Sequence, residues 1–478
     1  MRLPKTVIVL LAVILLAGCG NAPSSAMNAN QHANPTTRPQ DLEGSKFETM
    51  VYTTKRELSL TFDGMADKGT MERILNELDK YGIKATFFLP GMRVAEEPDI
   101  ANEIRARGHE IESNTLNRED VSQLTYAQIL KDLKLSMGVI QQKTGTAPQY
   151  VRAVNGSSNE DLRVAAAVDG LDAVVGSSLY LHNWKSETDL QKRNYIRKYI
   201  NRGGIIAIDT EENATIDASI DLIAKGARDV GYSFVTIDKL IHDGGERKPL
   251  EQIPGYDAAR VNSDYGEAAY RVFVNKEGDT KKEVSLTFDD WGTDYTVTKI
   301  LDTLDAYKVK ASFFLRADGV EKNPNLARAI VEQGHDVANH TYSHPVITTV
   351  TSEALQEEIV KAHRIITEAI QEKPTMLFRP PTGDFDARTL KAVGATGYHD
   401  VAIFDVTPDD YVKSRSAAQI AQTVKEQTAN GSVVLLHLLD DIQTIQALPI
   451  IIKELRSEGY TFVRMSELMG LPGTTAPS

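Results

Sequence analysis

The strongest constraint on the fold of this chain is that one unit of sequence occurs in it twice. The segment "ELSLTFD" at Glu57–Asp63 returns as "EVSLTFD" at Glu283–Asp289, and "ILNELDKYGIKATFFL" at Ile74–Leu89 returns as "ILDTLDAYKVKASFFL" at Ile300–Leu315. The pentapeptides "RGHEI" and "QGHDV" follow with the same separation along the chain. Self-similarity at a fixed separation indicates two copies of one domain.

The length of the chain agrees with this reading. At 478 residues it is too long for one ordinary core of about 150 residues. We predict that the repeats span residues 48–242 and 268–470, joined by a linker at 243–267 and followed by a short tail at 471–478. The linker is rich in turn residues and in charges of both signs.

Within each repeat, strand-like and helix-like patterns alternate. In the second repeat "VSLTF" and "KASFFL" read as strands and "VTKILDTLDAY" between them as a helix. Further strands are predicted at "TMLF", "VAIFDV" and "SVVLLHLL", and a long helix at "SEALQEEIVKAHRIITEAI". This alternation predicts an α/β fold with a parallel sheet, either a barrel or open, and places the chemistry at the carboxyl ends of the strands.

The N-terminus reads as a secretory signal. Arg2 and Lys5 precede an apolar run, Val7–Leu16, that is too short to span a bilayer comfortably, although a retained membrane anchor is the alternative. The segment "LAGC" resembles the lipobox of bacterial lipoproteins, which implies cleavage after residue 18 and a lipid on Cys19 that binds the membrane. Residues 19–47 have the polar composition of a disordered tether. We therefore expect an extracytoplasmic, membrane-anchored protein.

Composition excludes one class of partner. The net charge is −13 and no dense run of lysine and arginine occurs, whereas nucleic-acid binding needs clustered cations. Cys19 is the only cysteine, so an extracytoplasmic chain must be stabilised by burial without disulfides.

Two acidic residues, Asp289 and Asp290, directly follow the predicted strand "VSLTF". Because successive side chains of a strand point to opposite faces, one carboxylate is suited to bind a metal and the other to face a substrate. The dipeptide alone is equally compatible with a solvated acidic turn.

A second group is formed by His340 and His344 in "NHTYSH". On a helical turn, a spacing of four places both imidazoles on one face, within reach of one ion. Taken alone the motif also fits two surface histidines, but the chain has only 10 histidines in all. With Asp290 they make three ligands that leave a coordination position open, as catalytic metal sites do.

Two further candidates are Arg379 in "FRPPTGDF" and His437 in "VVLLHLLD". Taken alone, Arg379 also fits a surface cation and His437 a core histidine. They belong, however, to an ordered series: "TFDD", "HTYSH", "RPPTG", "DVTPDDY" and "LLH". This series resembles carbohydrate esterase family 4, the NodB-homology polysaccharide deacetylases, and the resemblance covers nearly all of both repeats. It implies two tandem distorted (β/α) barrels with fewer than eight strands each.

The resemblance also implies roles for the matching residues. Asp290, His340 and His344 would bind one divalent metal per chain, with zinc favoured. Asp289 would be the general base toward the attacking water, and His437 the general acid that protonates the leaving amine. Amide hydrolysis needs both, because an amine leaves poorly unless it is protonated.

Other positions would complete the site. Arg379 would hold Asp289 in place and itself pair with Asp410, and the backbone N–H of Thr382 would donate to the oxyanion. The substrate-binding positions implied by the resemblance are Trp291, Thr382, Tyr411 and Leu435. Trp291 stands where the family usually has glycine and Thr382 where it often has an aromatic residue, so the resemblance does not fix the shape of the cleft or the identity of the sugar.

The first repeat lacks the corresponding groups. The residues at the positions of the three ligands and the acid are Gly64, Asn114, Arg118 and Asp209. Asp63 and Arg152 persist as a base and its partner. We predict that this repeat is a degenerate, inactive copy that binds glycan, positions the second repeat or stabilises it.

These observations predict a metal-dependent hydrolase that removes N-acetyl groups from a polysaccharide through its second repeat. Peptidoglycan or another N-acetylglucosamine polymer is the favoured substrate. Three alternatives stay open: an esterase acting on a substrate such as acetylxylan, an amidohydrolase acting on a small amide, and a non-catalytic glycan-binding lipoprotein.

Overall fold

The computed structural model describes residues 37–181, 187–211, 215–278 and 280–471. The predicted signal peptide, Cys19, the first part of the tether and nearly all of the predicted tail lie outside the described residues. Among the helices of the described part, none is both long enough and apolar enough to cross a membrane.

The first repeat alternates strands and helices, as its sequence pattern predicts. Its strands are β1 (Lys46–Glu48), β2 (Glu57–Asp63), β3 (Thr86–Leu89), β4 (Glu110–Ser113), β5 (Tyr150–Val151), β6 (Ala173–Val175), β7 (Leu179–Leu181), β8 (Ile205–Asp209) and β9 (Ser233–Phe234). Its helices are α1 (Lys68–Tyr81), α2 (Gly91–Glu96), α3 (Pro98–Ala106), α4 (Tyr126–Thr144), α5 (Glu160–Val168), α6 (Asp189–Tyr199), α7 (Ile216–Val230) and α8 (Ile237–His242).

The second repeat has the same succession of elements, except that its described residues form no strand at the place of β7. Its strands are β10 (Arg271–Phe273), β11 (Glu283–Asp290), β12 (Ser312–Leu315), β13 (Asp336–Asn339), β14 (Leu377–Phe378), β15 (Asp400–Ala402), β16 (Ser432–His437) and β17 (Thr461–Phe462). Its helices are α9 (Asp294–Ala306), α10 (Ala317–Lys322), α11 (Pro324–Glu332), α12 (Ser352–Ile370), α13 (Ala387–Ala395), α14 (Ala417–Gln427), α15 (Thr444–Ser457) and α16 (Met465–Met469).

The strands of each repeat pair in parallel within one sheet. The first sheet has the order β1-β6-β5-β4-β3-β2-β8-β7, with β9 beside β2, and the second has the order β10-β15-β14-β13-β12-β11-β16, with β17 beside β11. Parallel pairing places the carboxyl ends of all the strands of a sheet on the same edge, where loops can bring side chains together.

Each sheet curls toward a barrel because one chain segment joins its two sides. In the first repeat the chain leaves β6 and pairs as β7 with β8. In the second repeat the chain leaves β15 and forms a bridge from Val406 to Val434 of β16. The predicted α/β fold class, with two tandem distorted barrels, is confirmed. The expected number of strands is wrong, because the described residues form nine strands in the first sheet and eight in the second, not fewer than eight in each.

The central strands β2 and β11 are buried along nearly their whole length. Strands covered on both faces favour β-branched and aromatic residues, which both copies supply. Phe62 stacks on Phe87 with ring centroids 4.8 Å apart, and Phe288 stacks on Phe313 at 5.0 Å. This packing fixes the strand from which the acidic pair of the second repeat projects.

A buried histidine has the same environment in both repeats. The backbone N–H of Ala85 donates to Nδ1 of His109 at 3.2 Å, and that of Ala311 donates to Nδ1 of His335 at 3.1 Å. Burial lowers the pKa of His109 to about 4 and that of His335 to about 3. Both rings are therefore neutral acceptors in the folded protein at neutral pH.

The structure differs from the predicted tether at its C-terminal end. Strand β1 begins at Lys46 and pairs with β6, and the N–H of Ser45 donates to the carbonyl of Arg163 at 3.0 Å. Arg38 lies 3.1 Å from Asp161 in an ion pair. A three-residue strand held mostly by backbone hydrogen bonds needs little apolar sequence, so composition did not reveal it.

The two repeats meet around a buried carboxylate, that of Asp294 at the start of α9. From the first repeat, Arg202 Nη1 and the Tyr232 hydroxyl each donate to Asp294 Oδ1 at 2.6 Å. From the second repeat, Thr298 and Asn323 donate to the same carboxylate at 2.9 and 3.1 Å. A buried charge is tolerated only when such partners are present, so this interface depends on both repeats.

Other contacts extend the interface around this carboxylate. Asn325 Nδ2 donates to the carbonyls of Val51 and Arg202 at 2.8 and 2.7 Å. Tyr295 of α9 packs against the hydrophobic core of the first repeat. At the partly exposed rim, Arg56 forms an ion pair with Asp302 of α9.

Candidate active site in the second repeat

A cavity of about 500 Å³ lies over the carboxyl ends of the strands of the second repeat. Strands β11 and β16 and the loops that follow β13, β14 and β15 contribute its lining residues. Nine residues predicted for the site line it: Asp289, Asp290, His340, His344, Thr382, Asp410, Tyr411, Leu435 and His437. The structure thus brings together residues that are far apart in the sequence.

The three predicted metal ligands form one compact cluster. One ligand atom from each of Asp290, His340 and His344 lies within 4.8 Å of the other two, and His344 Nε2 is 3.3 Å from Asp290 Oδ1. Nδ1 of His340 lies 2.8 Å from the carbonyl of Arg379, so its Nε2 is the atom left to face the cluster. Burial lowers the pKa of His340 to about 3, which keeps this imidazole neutral as a metal ligand must be.

This donor set fits a divalent cation. Two imidazole nitrogens and one carboxylate oxygen are ligands that zinc accepts, and an outer-shell acceptor such as the Arg379 carbonyl fixes the tautomer of a ligating histidine. In the described part of the chain this is the one group of three such side chains close enough to share an ion.

The backbone of the histidine loop differs from the helical turn that the spacing suggested. Residues Thr341 and His344 have φ angles of 66° and 64°, and the loop is not helical. The Thr341 N–H donates to Asn339 Oδ1 at 2.9 Å, and the His344 N–H donates to Thr341 Oγ1 at 3.0 Å. Side-chain acceptors therefore stabilise a tight loop that brings the two rings to a centroid distance of 5.0 Å.

The predicted base is held by the predicted arginine. Arg379 is fully buried, and its Nη1 donates to Asp289 Oδ1 and to Thr287 Oγ1 at 2.7 Å each. Its other N–H groups donate to the carbonyls of Ala402 and Ile403 at 3.0 and 3.1 Å. Burial raises the pKa of Asp289 and the charge of Arg379 opposes that rise. Oδ2 of Asp289 is left facing the cluster, 3.8 Å from His340 Nε2.

The expected pairing of Arg379 with Asp410 is wrong. Asp410 instead holds His437: its Oδ1 lies 2.7 Å from His437 Nδ1, and its Oδ2 accepts from the His437 N–H at 2.9 Å. Thr444 donates to the same carboxylate at 2.5 Å. After β15 the chain crosses to β16, which places Asp410 beside His437. Arg379 instead contacts Asp289 of β11. Arg379 and Asp410 thus each orient a different group.

Asp410 also sets the charge state of the candidate acid. Burial lowers the pKa of His437, but the hydrogen bond and charge of Asp410 outweigh it, so the pKa lies above its ordinary value. A histidine in this setting retains its proton to higher pH, which suits a group that must donate one.

The predicted substrate-binding residues divide into two groups. Thr382, Tyr411 and Leu435 line the cavity, and the Tyr411 ring stands edge-on to His437 at 5.4 Å. Trp291 is not in the lining and packs on the backbone of Gly319 in α10. Thr382 has a φ of 62°, a strained conformation of the kind concentrated at functional sites.

Six residues of the cavity lining are not among the site residues predicted from the sequence. They are Gly383, Phe404, Thr407, Pro408, Asp409 and Leu439. Most of them fall inside the quoted motifs. Leu439 could have been found from the sequence, because it continues the alternation of Leu435 and His437 two residues beyond the end of β16.

In the first repeat, an arginine fills the place that corresponds to the ligand cluster of the second repeat. Asp63 of β2 lies opposite Asp209 of β8 in the same strand register in which Asp289 lies opposite His437. The correspondence between the two repeats predicts this register. Arg118 donates to Asp209 and lies 3.4 Å from Glu211. A Cβ atom on Gly64 would lie only 2.7 Å from Arg118 Nη1, so the guanidinium takes up space that a side chain there would need.

Comparison with known families agrees with this two-copy architecture. The family described as polysaccharide deacetylase matches residues 51–174 and again residues 276–401. The chain belongs to the polysaccharide deacetylase family.

Individual members of the family are similar to this chain over about half of its length. A peptidoglycan-N-acetylglucosamine deacetylase of Listeria monocytogenes is 30% identical over 213 residues, which is 45% of this chain and 44% of that relative. One from Bacillus cereus is 32% identical over 253 residues, 50% of this chain and 90% of that relative. The chain thus spans less than half the length of the Listeria relative. The crystal structure of the Bc1960 peptidoglycan N-acetylglucosamine deacetylase is 32% identical, with a TM-score of 0.40, over 43% of this chain and 95% of that one.

Proposed function

We propose that this protein is a metal-dependent hydrolase that removes N-acetyl groups from a cell-wall polysaccharide, with all catalysis in the second repeat. Peptidoglycan or another N-acetylglucosamine polymer is the substrate. The relatives named above act on N-acetylglucosamine of peptidoglycan, and both domain copies match the deacetylase family.

One observation carries the proposal. A cluster of three potential ligands shares a cavity with a carboxylate held by Arg379 and an imidazole held by Asp410. Base, acid and cation site thus surround one space large enough for an acetylated sugar. A protein that only binds glycan would have no need of these separate orienting contacts.

Asp290, His340 and His344 would hold the divalent cation, zinc in our proposal, which would supply activation of water and polarisation of the acetyl carbonyl. Asp289 accepts the proton of the attacking water on Oδ2. Arg379 keeps Oδ1 occupied and thereby fixes the direction of the free oxygen. The backbone N–H of Thr382 donates to the oxyanion; removing one such donor typically costs about 3 kcal/mol of transition-state stabilisation.

His437 donates a proton to the leaving amine from Nε2. Its Nδ1 is engaged by Asp410, which selects the tautomer and stabilises the protonated ring. Tyr411, edge-on to this ring, forms a wall beside the departing amine. The two proton-transfer groups stand on adjacent strands, since Asp289 and His437 are register partners in β11 and β16.

The first repeat is catalytically inactive in this proposal. Gly64 and Asn114 offer no ligand equivalent to Asp290 and His340, and the guanidinium of Arg118 brings positive charge to the place of a cation. Asp63 keeps its ion pair with Arg152 at 2.9 Å. The residue opposite it is Asp209, which is paired with Arg118 and does not replace His437 as a proton donor.

Acetate release tests the function. Purified protein is incubated with peptidoglycan, with a soluble N-acetylglucosamine polymer and with acetylxylan, with and without chelator, and acetate is quantified. We expect release that chelator abolishes and added zinc restores. Absence of release from both substrates and from acetylxylan, in protein that contains metal, would favour the glycan-binding alternative instead.

The duplicated architecture offers a matched control. Asp289→Asn should abolish acetate release, whereas Asp63→Asn alters the equivalent carboxylate of the first repeat and should leave release within about twofold of wild type, once circular dichroism has verified that both variants are folded. Equal loss in the two variants would contradict the assignment of catalysis to the second repeat.

We also propose that the protein is extracytoplasmic and anchored to the membrane through lipid on Cys19. The support is the basic and apolar pattern before "LAGC" and the single cysteine of the chain. Expression in a bacterium with a labelled fatty acid should label wild type but not Cys19→Ala, and the variant should leave the membrane fraction. Equal labelling of both would exclude lipidation at Cys19.

A further inference from the structure

A second cavity lies between the two repeats. It has a volume of about 560 Å³ and receives residues from helix α6 of the first repeat and from the second repeat. Its wall includes Asn194, Arg197 and Lys198 on one side and Tyr295, Asp440 and Gln446 on the other. Neither repeat could form this cavity alone.

This inter-repeat cavity adjoins the active-site cavity. Leu439 is part of the wall of both. Because Leu439 lies two residues beyond His437 on the same strand continuation, the inter-repeat cavity begins on the side of the active site that holds the candidate acid. A ligand longer than one sugar could occupy both spaces.

The polar groups of the inter-repeat cavity suit an uncharged polyhydroxylated ligand. Arg197 and Lys198 line it together with Asp440 and Asp441. Because Arg197 is already paired with Asp229, and Asp440 accepts from the hydroxyls of Thr293 and Thr296, no surplus of cations is left to favour an anionic ligand. Amide groups from Asn194 and from glutamines of the loop and helix after β16 add donors and acceptors. An anionic polymer would meet carboxylates on one wall, whereas sugar hydroxyls can both donate and accept.

Aromatic and cationic groups at the inter-repeat cavity reinforce this chemistry. The guanidinium of Arg197 lies over the ring of Tyr295 at 4.9 Å, which ties the first repeat to α9 at the cavity wall. Arg197 Nε, although shielded from solvent, has no acceptor among the described residues. An aromatic ring beside a few polar groups is typical of ligand sites.

We propose that the inter-repeat cavity binds the neutral sugar units of the polysaccharide that flank the unit being deacetylated. The inference rests on the proposed deacetylase function and gives the first repeat a role: its helix α6 forms one wall of the substrate-binding cleft. The enzyme then prefers a chain long enough to reach from the active site past Leu439 into the space beside α6.

Kinetics on substrates of two lengths test this. Acetate release is measured with a disaccharide and an octasaccharide of N-acetylglucosamine, for the full chain and three variants. Asn194→Trp fills the cavity from an exposed position, and Lys198→Ala with Gln446→Ala removes polar groups from both walls. Lys192→Ala, on the same helix but outside the wall, is the matched control.

We expect the double variant to raise KM for the octasaccharide by about tenfold, the effect of losing roughly two net hydrogen bonds. Asn194→Trp should raise it by at least about as much, because the indole occupies the space of the sugar, while KM for the disaccharide stays unchanged in both. The Lys192→Ala control should resemble wild type with both. An unchanged ratio of octasaccharide to disaccharide KM in both cavity variants would overturn the proposal.

A binding measurement separates this inference from the proposed function. Octasaccharide binding is followed by titration calorimetry in an Asp289→Asn background, which excludes turnover. Loss of binding on adding Asn194→Trp supports the cavity even if the wild type releases no acetate, an outcome that would contradict only the deacetylase function. Binding unaffected by Asn194→Trp would contradict the cavity.

Discussion

The guanidinium of Arg118 donates to the carboxylate of Asp209 in the first repeat. The equivalent positions in the second repeat carry His344 and His437, one a candidate ligand and the other the candidate acid. An ion pair within the protein thus replaces a cation site and a proton donor. The same fold supports a catalytic arrangement in one copy and a self-contained salt bridge in the other.

Metal content should distinguish the two copies. The full chain is expected to bind one divalent metal, and His340→Ala should lose it, because this buried imidazole is one of only three ligands. Asn114→Ala, the matched change in the first repeat, should leave the content unchanged. Elemental analysis of dialysed protein checks both; two metals per chain, or metal retained in His340→Ala, would refute this assignment.

Removing Arg118 should destabilise the first repeat. Arg118→Met leaves the buried carboxylate of Asp209 without its cation, for which we expect a loss of about 2–4 kcal/mol in the free energy of unfolding. Arg107→Met, which breaks exposed ion pairs with Glu103 and Asp79, should cost about 1 kcal/mol or less. Urea denaturation measures both, and equal effects would mean that the Arg118 contact contributes no more than a surface pair.

The pH profile should depend on Asp410. Asp410 holds the pKa of His437 above its ordinary value against the effect of burial, and the acid works only while protonated. Asp410→Asn removes the negative charge and lowers that pKa, so the basic limb of the kcat/KM profile should move to lower pH and the maximum should fall. A basic limb at the wild-type position would show that it reports another group.

The buried pair of Arg202 and Asp294 should couple the stabilities of the repeats. Arg202→Met leaves a carboxylate uncompensated at the interface, at an expected cost of about 3–5 kcal/mol. Arg56→Met, which breaks the half-exposed inter-repeat pair with Asp302, should cost less than about 1 kcal/mol. Calorimetry should show a single transition for wild type; two separate transitions would contradict coupling through this contact.

Acid should destabilise both barrels through their buried histidines. Burial lowers the pKa of His109 to about 4 and of His335 to about 3, against an ordinary value of 6.5. Below pH 6.5 the unfolded chain binds protons that the folded chain does not, so stability falls as pH falls toward those folded values. The slope is at most about 1.4 kcal/mol per pH unit for each histidine.

Urea midpoints between pH 7 and pH 4.5 measure this slope. His335→Gln removes one titrating group, so its stability should depend less steeply on pH. His242→Gln, at an exposed position, is the control and should keep the wild-type slope. An unchanged slope in His335→Gln would exclude this histidine as the source.

The secondary structure and the grouping of the candidate ligands followed from contiguous sequence. Helix α12 occupies Ser352–Ile370, the predicted segment, because its apolar spacing and its N-cap Thr351 are local properties. Asp290 was placed at a strand end by alternation, and the parallel topology then brought it to the same edge as the two histidines. The tight histidine loop was missed, because its left-handed residues are held by side-chain hydrogen bonds that spacing alone does not reveal.

The sequence by itself determined the duplication, the α/β class, and which copy retains a full set of polar groups at its strand ends. Only the tertiary structure decided that Asp410 orients His437 and not Arg379, that Arg118 fills the space beside Gly64, and that helix α6 forms a cavity wall next to the active site. The physical reason is one of range. Periodicity and strand alternation act between near neighbours, whereas these pairings depend on distances set by packing between elements far apart in the chain.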